Sequence, residues 1–491
     1  VKLTLKKIND AYIKIGCETD LAYELSEYFT FLVPGAKFNP KVKNKIWDGK
    51  IRLFNLLTKR IYAGLKLHVE LFARERGYEV EYEDPNDFAE EQFSEMDALN
   101  FIKSINLKYE PRDYQLAAFV HGVRTKRSLL LSPTASGKSL IIYLLSRYYH
   151  TQNNRVLIVV PTTSLVHQMA SDFGDYSGLD PDKFCHKIYS GEEKDNIKPF
   201  TITTWQSIYK MPPEWFQQFK VVIGDEAHLF KAKSLTGIMD QLIDCSYRFG
   251  FTGTLDGTQT HKLVLEGLFG PVKKVTTTAE LIEQKHLSEF KIKAIVLSYP
   301  DEQRQVVSKY KYREEIDFLV ENQLRNQFIV NLAEQLKGNT LILYQLVEKQ
   351  GEVLYNMLSS SAKDVFFISG NVDGLIREDI RQAVETKDNC IIVASYGTFS
   401  TGVNIKNLHN VIFASPSKSR IRNLQSIGRG SLTKAVAVLY DIADDLSWKS
   451  KKNFTLSHFA ERIRIYNEEK FEYKIYTVKL KEQHAINNQA D

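Results

Sequence analysis

Ser128-Leu129-Leu130-Leu131-Ser132-Pro133-Thr134-Ala135-Ser136-Gly137-Lys138-Ser139 is an apolar run, then a small-residue loop, then a lysine and a hydroxyl. Leu140 to Tyr149 follows with helical character. Strand, loop and helix in that order are what a phosphate-binding loop requires, because loop amides and a helix N-terminus then face the bound anion. The spacing assigns Pro133, Thr134, Ala135, Ser136, Gly137, Lys138 and Ser139 to the nucleotide. Lys138 neutralises charge on the outer phosphates of ATP, and Ser139 ligates Mg2+. The first glycine of the common pattern is replaced by Ser132.

A second signal lies downstream, where Val221-Val222-Ile223-Gly224 runs directly into Asp225-Glu226-Ala227-His228. An acidic pair at the end of an apolar strand sits where open α/β sheets bind ligands. Asp225 is expected to hold magnesium and Glu226 to orient or deprotonate the attacking water. With Lys138, these are the candidate catalytic residues.

Outward from these motifs, short apolar runs alternate with helix-length amphipathic segments, which implies mainly parallel sheet. One block holds Leu129–Leu131, Val156–Val160 and Val221–Ile223. A second begins near residue 325 and holds Thr340–Tyr344, Val365–Ile368, Ile391–Ala394, Val411–Ala414 and Ala437–Tyr440. The expected fold is α/β: two parallel-sheet domains, a small α+β N-terminal domain and a helical C-terminal extension. The boundaries read as 1–95 (N-terminal domain and linker), 96–287 (first α/β domain), 288–452 (second) and 453–491 (extension). Leu21–Phe31 reads as a helix capped by Asp20, Ile51–Phe54 as a strand, the acidic Glu79–Met96 as linker or solvated helix, and Leu456–Lys481 as helix followed by an extended tail.

Composition fits a globular protein, with 43% hydrophobic and 25% charged residues among 491. No run approaches a membrane span and the N-terminus lacks a signal-peptide core, so a cytoplasmic protein without membrane contact is expected. Cys17, Cys185, Cys245 and Cys390 have no metal or redox spacing and read as small buried residues. The net charge of +5 decides little, but its distribution is informative. Between Lys37 and Arg60, eight cations face one anion, Asp48. That excess suits a phosphate backbone, with Lys41, Lys43, Lys45, Lys50 and Arg52 as candidate contacts. Trp47 either stacks on an unpaired base or anchors the small domain's core.

The motifs together resemble those of superfamily 2 helicases, over both α/β blocks. Arg112-Asp113-Tyr114-Gln115 resembles the adenine-sensing element, which implies nucleotide contacts for Arg112 and Gln115. Val160-Pro161-Thr162-Thr163 and Thr203-Thr204-Trp205-Gln206 resemble strand-gripping elements, implying nucleic-acid contacts at Pro161, Thr162, Thr163, Thr204, Trp205 and Gln206. Thr252-Gly253-Thr254 resembles the coupling motif. In the second block Leu343-Tyr344-Gln345, Ser395 to Asn404 and Gln425-Ser426-Ile427-Gly428-Arg429 resemble motifs IV, V and VI. They imply DNA contacts at Tyr344, Ser369, Gly370, Ser395, Tyr396, Ser400 and Thr401, nucleotide contacts at Gly402, Asn404 and Arg429, and catalytic roles for Gln425 and Arg429. The two domains are then RecA-like, and ATP binding closes a cleft between them.

One departure bears on catalysis. Where the family places a second arginine after Arg429, this chain has Leu432. Three explanations compete: residues are missing from the sequence at this short turn, Arg429 acts alone, or hydrolysis is impaired. The shortness of the turn favours the first.

The flanks narrow the resemblance. Phe38 to Leu53, Ser395 to Gly402, and Arg462-Ile463-Arg464-Ile465-Tyr466 with Glu469-Lys470-Phe471 resemble the UvsW-type recombination helicases of tailed phages. That implies an ATP-dependent motor, monomeric and in a host cytoplasm, acting on branched DNA: fork regression, migration of four-way junctions and unwinding of recombination intermediates. Single- and double-stranded DNA are the expected partners. An RNA helicase and a structure-specific DNA-binding protein with impaired ATPase are the rivals. Lys309-Tyr310-Lys311-Tyr312-Arg313 is a candidate strand-separating wedge.

Overall fold

The computed structural model describes residues 1–133, 136–189, 198–253, 255, 259–284, 290–369, 380, 383–384, 386–396, 408–415, 437–468 and 471–481. They fall into two compact units, Val1–Thr276 and Thr277–Asp491.

The first unit begins with a small mixed sheet. Its strands are β1 (Lys2–Lys7), β2 (Tyr12–Gly16), β5 (Arg60–Tyr62) and β6 (Glu79–Tyr82), in the order β5-β2-β1-β6. A separate antiparallel ribbon pairs β3 (Thr30–Leu32) with β4 (Lys50–Arg52). Here the sequence reading is corrected. The helix spans Thr19–Tyr28, beginning after Glu18, and Phe31 belongs to β3. Glu79–Tyr82 is a strand running parallel to β1, not linker. Its Glu-Val-Glu-Tyr alternation is that of an edge strand with one solvated face.

The large sheet of this unit contains β7 (Arg127–Leu131), β8 (Val156–Val160), β9 (Cys185–Ile188), β10 (Phe200–Thr204), β11 (Val221–Asp225), β12 (Tyr247–Thr252) and β13 (Val272–Lys274). The order is β13-β7-β12-β11-β8-β10-β9, and every pairing is parallel. Successive side chains of a strand face opposite layers. Val156, Ile158 and Val160 pack with helices Asp113–Thr125, Lys138–Thr151 and Thr163–Ser177. Leu157 and Val159 face the other way, into a core that continues through Phe269 and Leu65 to Leu3, Ile13 and Phe72 of the small domain. The small domain therefore shares a core with the large sheet.

Polar contacts close that seam. Tyr12 donates to Asp240 at 2.8 Å, Arg127 donates to the Asp10 carbonyl at 2.6 Å, and His68 lies 2.9 Å from Glu266. Gly64 is required there: a Cβ would stand 2.0 Å from the Glu266 carbonyl oxygen.

The second unit repeats the plan with β14 (Phe290–Ser298), β15 (Thr340–Tyr344), β16 (Val365–Ile368), β17 (Ile391–Ser395), β18 (Asn410–Phe413), β19 (Ala437–Asp445) and β20 (Glu472–Lys479). The order is β16-β17-β15-β18-β19-β14-β20, again all parallel. The C-terminal helix is Phe454–Glu468, shorter than the sequence suggested, and β20 adds to the sheet edge beside β14. Two buried ion pairs hang from β19: Arg325 with Asp444 at 2.8 Å and Arg462 with Asp441 at 2.9 Å. Three of the cysteines are buried and all four are free thiols. Among the described residues, no helix is long and apolar enough to cross a membrane.

Candidate nucleotide site and nucleic-acid interface

The phosphate loop leaves the carboxyl end of β7 and enters the helix Lys138–Thr151 through Gly137, whose φ of 73° is left-handed. A side chain there is excluded twice over, by the backbone and by Gln115, whose Nε2 would lie 2.3 Å from a Cβ. Gln115 is 4% exposed and donates to the Ser136 carbonyl at 2.9 Å, while its Oε1 accepts from the Arg112 amide at 2.9 Å. Tyr114 donates to the same Ser136 carbonyl at 3.0 Å, and Arg112 donates to the Tyr114 hydroxyl at 2.7 Å. The Arg112–Gln115 element thus braces the loop from below. Inside the loop, the Ser132 and Ser136 hydroxyls are 2.6 Å apart, and Ser136 donates to the Pro133 carbonyl at 2.6 Å. Ser132 fills the place of the missing glycine with a useful hydrogen bond. Thr134 and Ala135 lie outside the described residues.

Lys138 is buried, with Nζ 3.2 Å from Glu226 and 3.7 Å from Asp225. Asp225 ends β11, and its carboxylate accepts the Glu226 amide at 3.0 Å. Glu226 is held at φ 50°, left-handed for a residue that has a Cβ. Such a conformation costs on the order of 1–3 kcal/mol and persists where surrounding contacts impose it, often at functional sites. His228 supplies one such contact: its Nδ1 is 3.3 Å from Glu226 and 3.0 Å from the Thr252 hydroxyl at the end of β12. The Ser132 amide donates to the Thr252 carbonyl at 2.8 Å, so loop, acidic pair and β12 form one hydrogen-bonded group.

Ser139 carries a contact that the sequence did not signal. Its hydroxyl is 2.7 Å from that of Tyr176, on the helix Thr163–Ser177. Burial pushes the Tyr176 phenol up to about 12, so it remains protonated at neutral pH. No local pattern links positions 139 and 176; the sheet order brings their helices together.

A cationic lysine, a helix N-terminus and a carboxylate pair at one strand edge fit a nucleotide triphosphate with its magnesium ion. Ser139 and Asp225 would hold the metal, which supplies charge neutralisation to the phosphates. Among the described residues, no group of three or more His, Cys, Asp or Glu side chains is placed to hold a metal ion.

The nucleic-acid candidates of this unit lie at the next strand ends. Pro161 and Thr162 follow β8; Thr162 caps the helix Thr163–Ser177, and Thr163 is exposed. Thr204 ends β10 with its hydroxyl 2.9 Å from Ser207, followed by half-buried Trp205 and exposed Gln206. Because the order runs β7-β12-β11-β8-β10, the nucleotide residues occupy three neighbouring strand ends and these candidates the next two.

In the second unit, Ser369, Ser395 and Tyr396 lie at the carboxyl ends of β16 and β17 and are largely buried. Tyr344 corrects the sequence reading. Its side chain is 0% exposed, stacks on Phe367 and donates to the Ile368 carbonyl at 3.3 Å. The central strand β15 is covered on both faces, so this phenol is core and does not reach a surface. Gly370, Ser400, Thr401, Gly402, Asn404, Gln425, Arg429 and Leu432 lie outside the described residues, as does Thr254.

In the small domain Lys41, Lys43, Lys45 and Lys50 are exposed and make no ion pair among the described residues. Arg52 is engaged by Asp48, and Lys59 donates to the Cys17 carbonyl at 2.6 Å. Trp47 is half-buried outside the core and donates to the Lys50 carbonyl at 2.9 Å.

Two parallel RecA-like sheets, with a nucleotide site at the carboxyl edge of one, define the class as superfamily 2 helicases. Comparison with known proteins gives the family. Residues 2–83 match the model "DNA helicase UvsW, N-terminal", and residues 108–257 match "Type III restriction enzyme, res subunit". The chain is 35% identical over 498 residues to the ATP-dependent DNA helicase UvsW of Enterobacteria phage T4, covering 96% of this chain and 98% of that one. It is 27% identical over 277 residues, 56% of each chain, to the DNA 3'-5' translocase XPB2 of Sulfurisphaera tokodaii. The crystal structure of T4 UvsW matches with a TM-score of 0.52 at 34% identity, covering 98% of this chain and 100% of that one. The chain belongs to the UvsW family of DNA helicases.

Proposed function

We propose that this chain is an ATP-driven helicase that remodels branched DNA, regressing forks and migrating four-way junctions. The observation that carries the motor reading is the Lys138–Glu226–Asp225 group beneath the phosphate loop. Lys138 holds the outer phosphates, Ser139 and Asp225 hold magnesium, and Glu226 positions water for attack on the terminal phosphate. Its strained backbone and His228 fix the carboxylate, so little reorganisation remains when the nucleotide arrives. His228 also touches Thr252, which ties the state of the acidic pair to β12 and its following loop.

The strand-end candidates Pro161, Thr162, Thr163, Thr204, Trp205 and Gln206 are read as gripping one strand, with Arg429 and Gln425 completing the nucleotide site. The basic segment 37–60 is read as a duplex contact that selects branch points. Phosphate contacts of these kinds give structure preference with little sequence preference. The domain roles follow: 1–95 for DNA recognition, 96–287 and 288–452 for the motor, and 453–491 as its C-terminal extension.

The test is a strand-exchange assay on a labelled mobile four-way junction. ATP should convert the junction to duplex arms, and a non-hydrolysable analogue should not. Conversion at equal rates with both nucleotides, or none with ATP under conditions where the junction is bound, would refute the reading.

A further inference from the structure

Two segments far apart in sequence meet at the carboxyl edge of the second unit's sheet. Ser308–Arg313 follows the short helix Asp301–Val307 that comes after β14, and Ser447–Phe454 follows β19, the strand hydrogen-bonded to β14. The first carries Lys309, Lys311 and Arg313; the second carries Lys449, Lys451 and Lys452; neither contains an acidic residue. All six cations are exposed, and none forms an ion pair with a described residue.

Between them lies an aromatic surface. The Tyr312 ring is 6.0 Å from Phe454, edge to face, and 5.4 Å from His458. Tyr312 and Phe454 are 44% and 42% exposed, so the paired rings remain open to solvent. The arrangement is held from beneath. Glu315 is 1% exposed and accepts the amides of Phe454 and Thr455 at 3.0 and 2.8 Å, capping the helix that carries His458. Lys451 also donates to the Ser308 carbonyl. A buried carboxylate thus fixes the register of two basic segments around a pair of rings.

We propose that this platform binds single-stranded DNA, with unpaired bases on Tyr312 and Phe454 and the backbone on the surrounding lysines. Charge selects a polyanion, and the exposed rings select unpaired bases, because a duplex hides its base faces and would leave the rings idle. Ser369 and Ser395 end β16 and β17 at the same edge, so a strand held there and a strand on the platform would share one rim of the sheet. The inference rests on the reading of the chain as a DNA-acting enzyme.

The test uses the full chain, a labelled oligothymidylate and a blunt duplex, titrated over a range of salt. Two variants are compared with the parent: Tyr312→Ala with Phe454→Ala, and Lys309→Ala with Lys449→Ala and Lys452→Ala. The ring variant should lose about 10-fold or more in oligothymidylate affinity, with duplex affinity unchanged. The lysine variant should lower the single-strand salt slope by about 2 units. Photo-crosslinking of bromodeoxyuridine-substituted strands to the parent should label a peptide containing Tyr312 or Phe454, which keeps the test independent of how the variants fold. Equal losses on both probes with no effect of the rings would make the patch a duplex contact and overturn the proposal. Unchanged titrations and labelling elsewhere would also overturn it. A parent that binds neither probe would instead refute the DNA-acting reading itself.

Discussion

The ammonium of Lys138 donates to the carboxylate of Glu226 across 3.2 Å, joining the residue assigned to phosphate charge to the one assigned to water. On the proposed roles, a triphosphate entering the loop would compete for that lysine and leave the Glu226 carboxylate available to water. Lys138 is buried and the Glu226 side chain is 22% exposed, so solvent screens the contact only in part.

Replacing Lys138 with Ala should therefore lower DNA-stimulated ATP hydrolysis by about 10²–10³-fold or more, as for other losses of preorganised charge at a reacting phosphate. DNA affinity without nucleotide should stay within about 3-fold of the parent, because the strand-end candidates lie on other strands. Steady-state ATPase and fluorescence anisotropy measure the two. Full hydrolysis in this variant would remove the lysine from the mechanism.

Glu226→Gln separates binding from turnover. The amide keeps the size of the side chain and loses its basicity, so nucleotide affinity should persist while turnover falls by about 10²–10⁴-fold. Equilibrium binding of a fluorescent ATP analogue, beside single-turnover hydrolysis, distinguishes this from a loss of binding, which would contradict the role given to the carboxylate.

The strand ends that carry the candidate site were legible because they combine short apolar runs with residues few other tasks require. Lys138, Asp225 and Glu226 could be found from local pattern alone. Their braces could not: Tyr176 reaches Ser139 because the sheet order packs their two helices together, and His228 reaches Thr252 because neighbouring parallel strands end at one edge. Edge strands were missed for a related reason. Glu79–Tyr82 is solvated on one face and Glu472–Lys479 is exposed along most of its length, so their charges mimic linker and tail while their partners are far away in sequence. Tyr344 shows the opposite error: a motif position was read as a contact, whereas the central strand buries its side chain.

The small domain's seam can be tested by adding one methyl group. In Gly64→Ala the new Cβ meets backbone at 2.0 Å, which no rotamer change relieves. The expected cost is about 1–3 kcal/mol and a drop of about 5 °C in the melting temperature. Gly35→Ala, with open space around it, should show only the smaller cost of its left-handed backbone, about 1 kcal/mol. Equal effects in calorimetry would argue against a close-packed seam.

Changing Lys41, Lys43 and Lys45 together to Ala should reduce the salt slope of junction binding by about 3 units. Affinity for a four-way junction should fall more than affinity for a single strand, and ATPase stimulated by single strands should stay near the parent value. Titrations at two salt concentrations that show an unchanged slope would make these lysines an ordinary solvated face.

The most direct test of a branched-DNA motor is the ATPase rate measured with no DNA, with a single strand, with a duplex and with a four-way junction, at equal nucleotide concentrations. The account predicts little hydrolysis without DNA and the greatest stimulation by the junction, all of it lost in Lys138→Ala. A rate indifferent to DNA, or greater stimulation by RNA than by any of these DNAs, would contradict it.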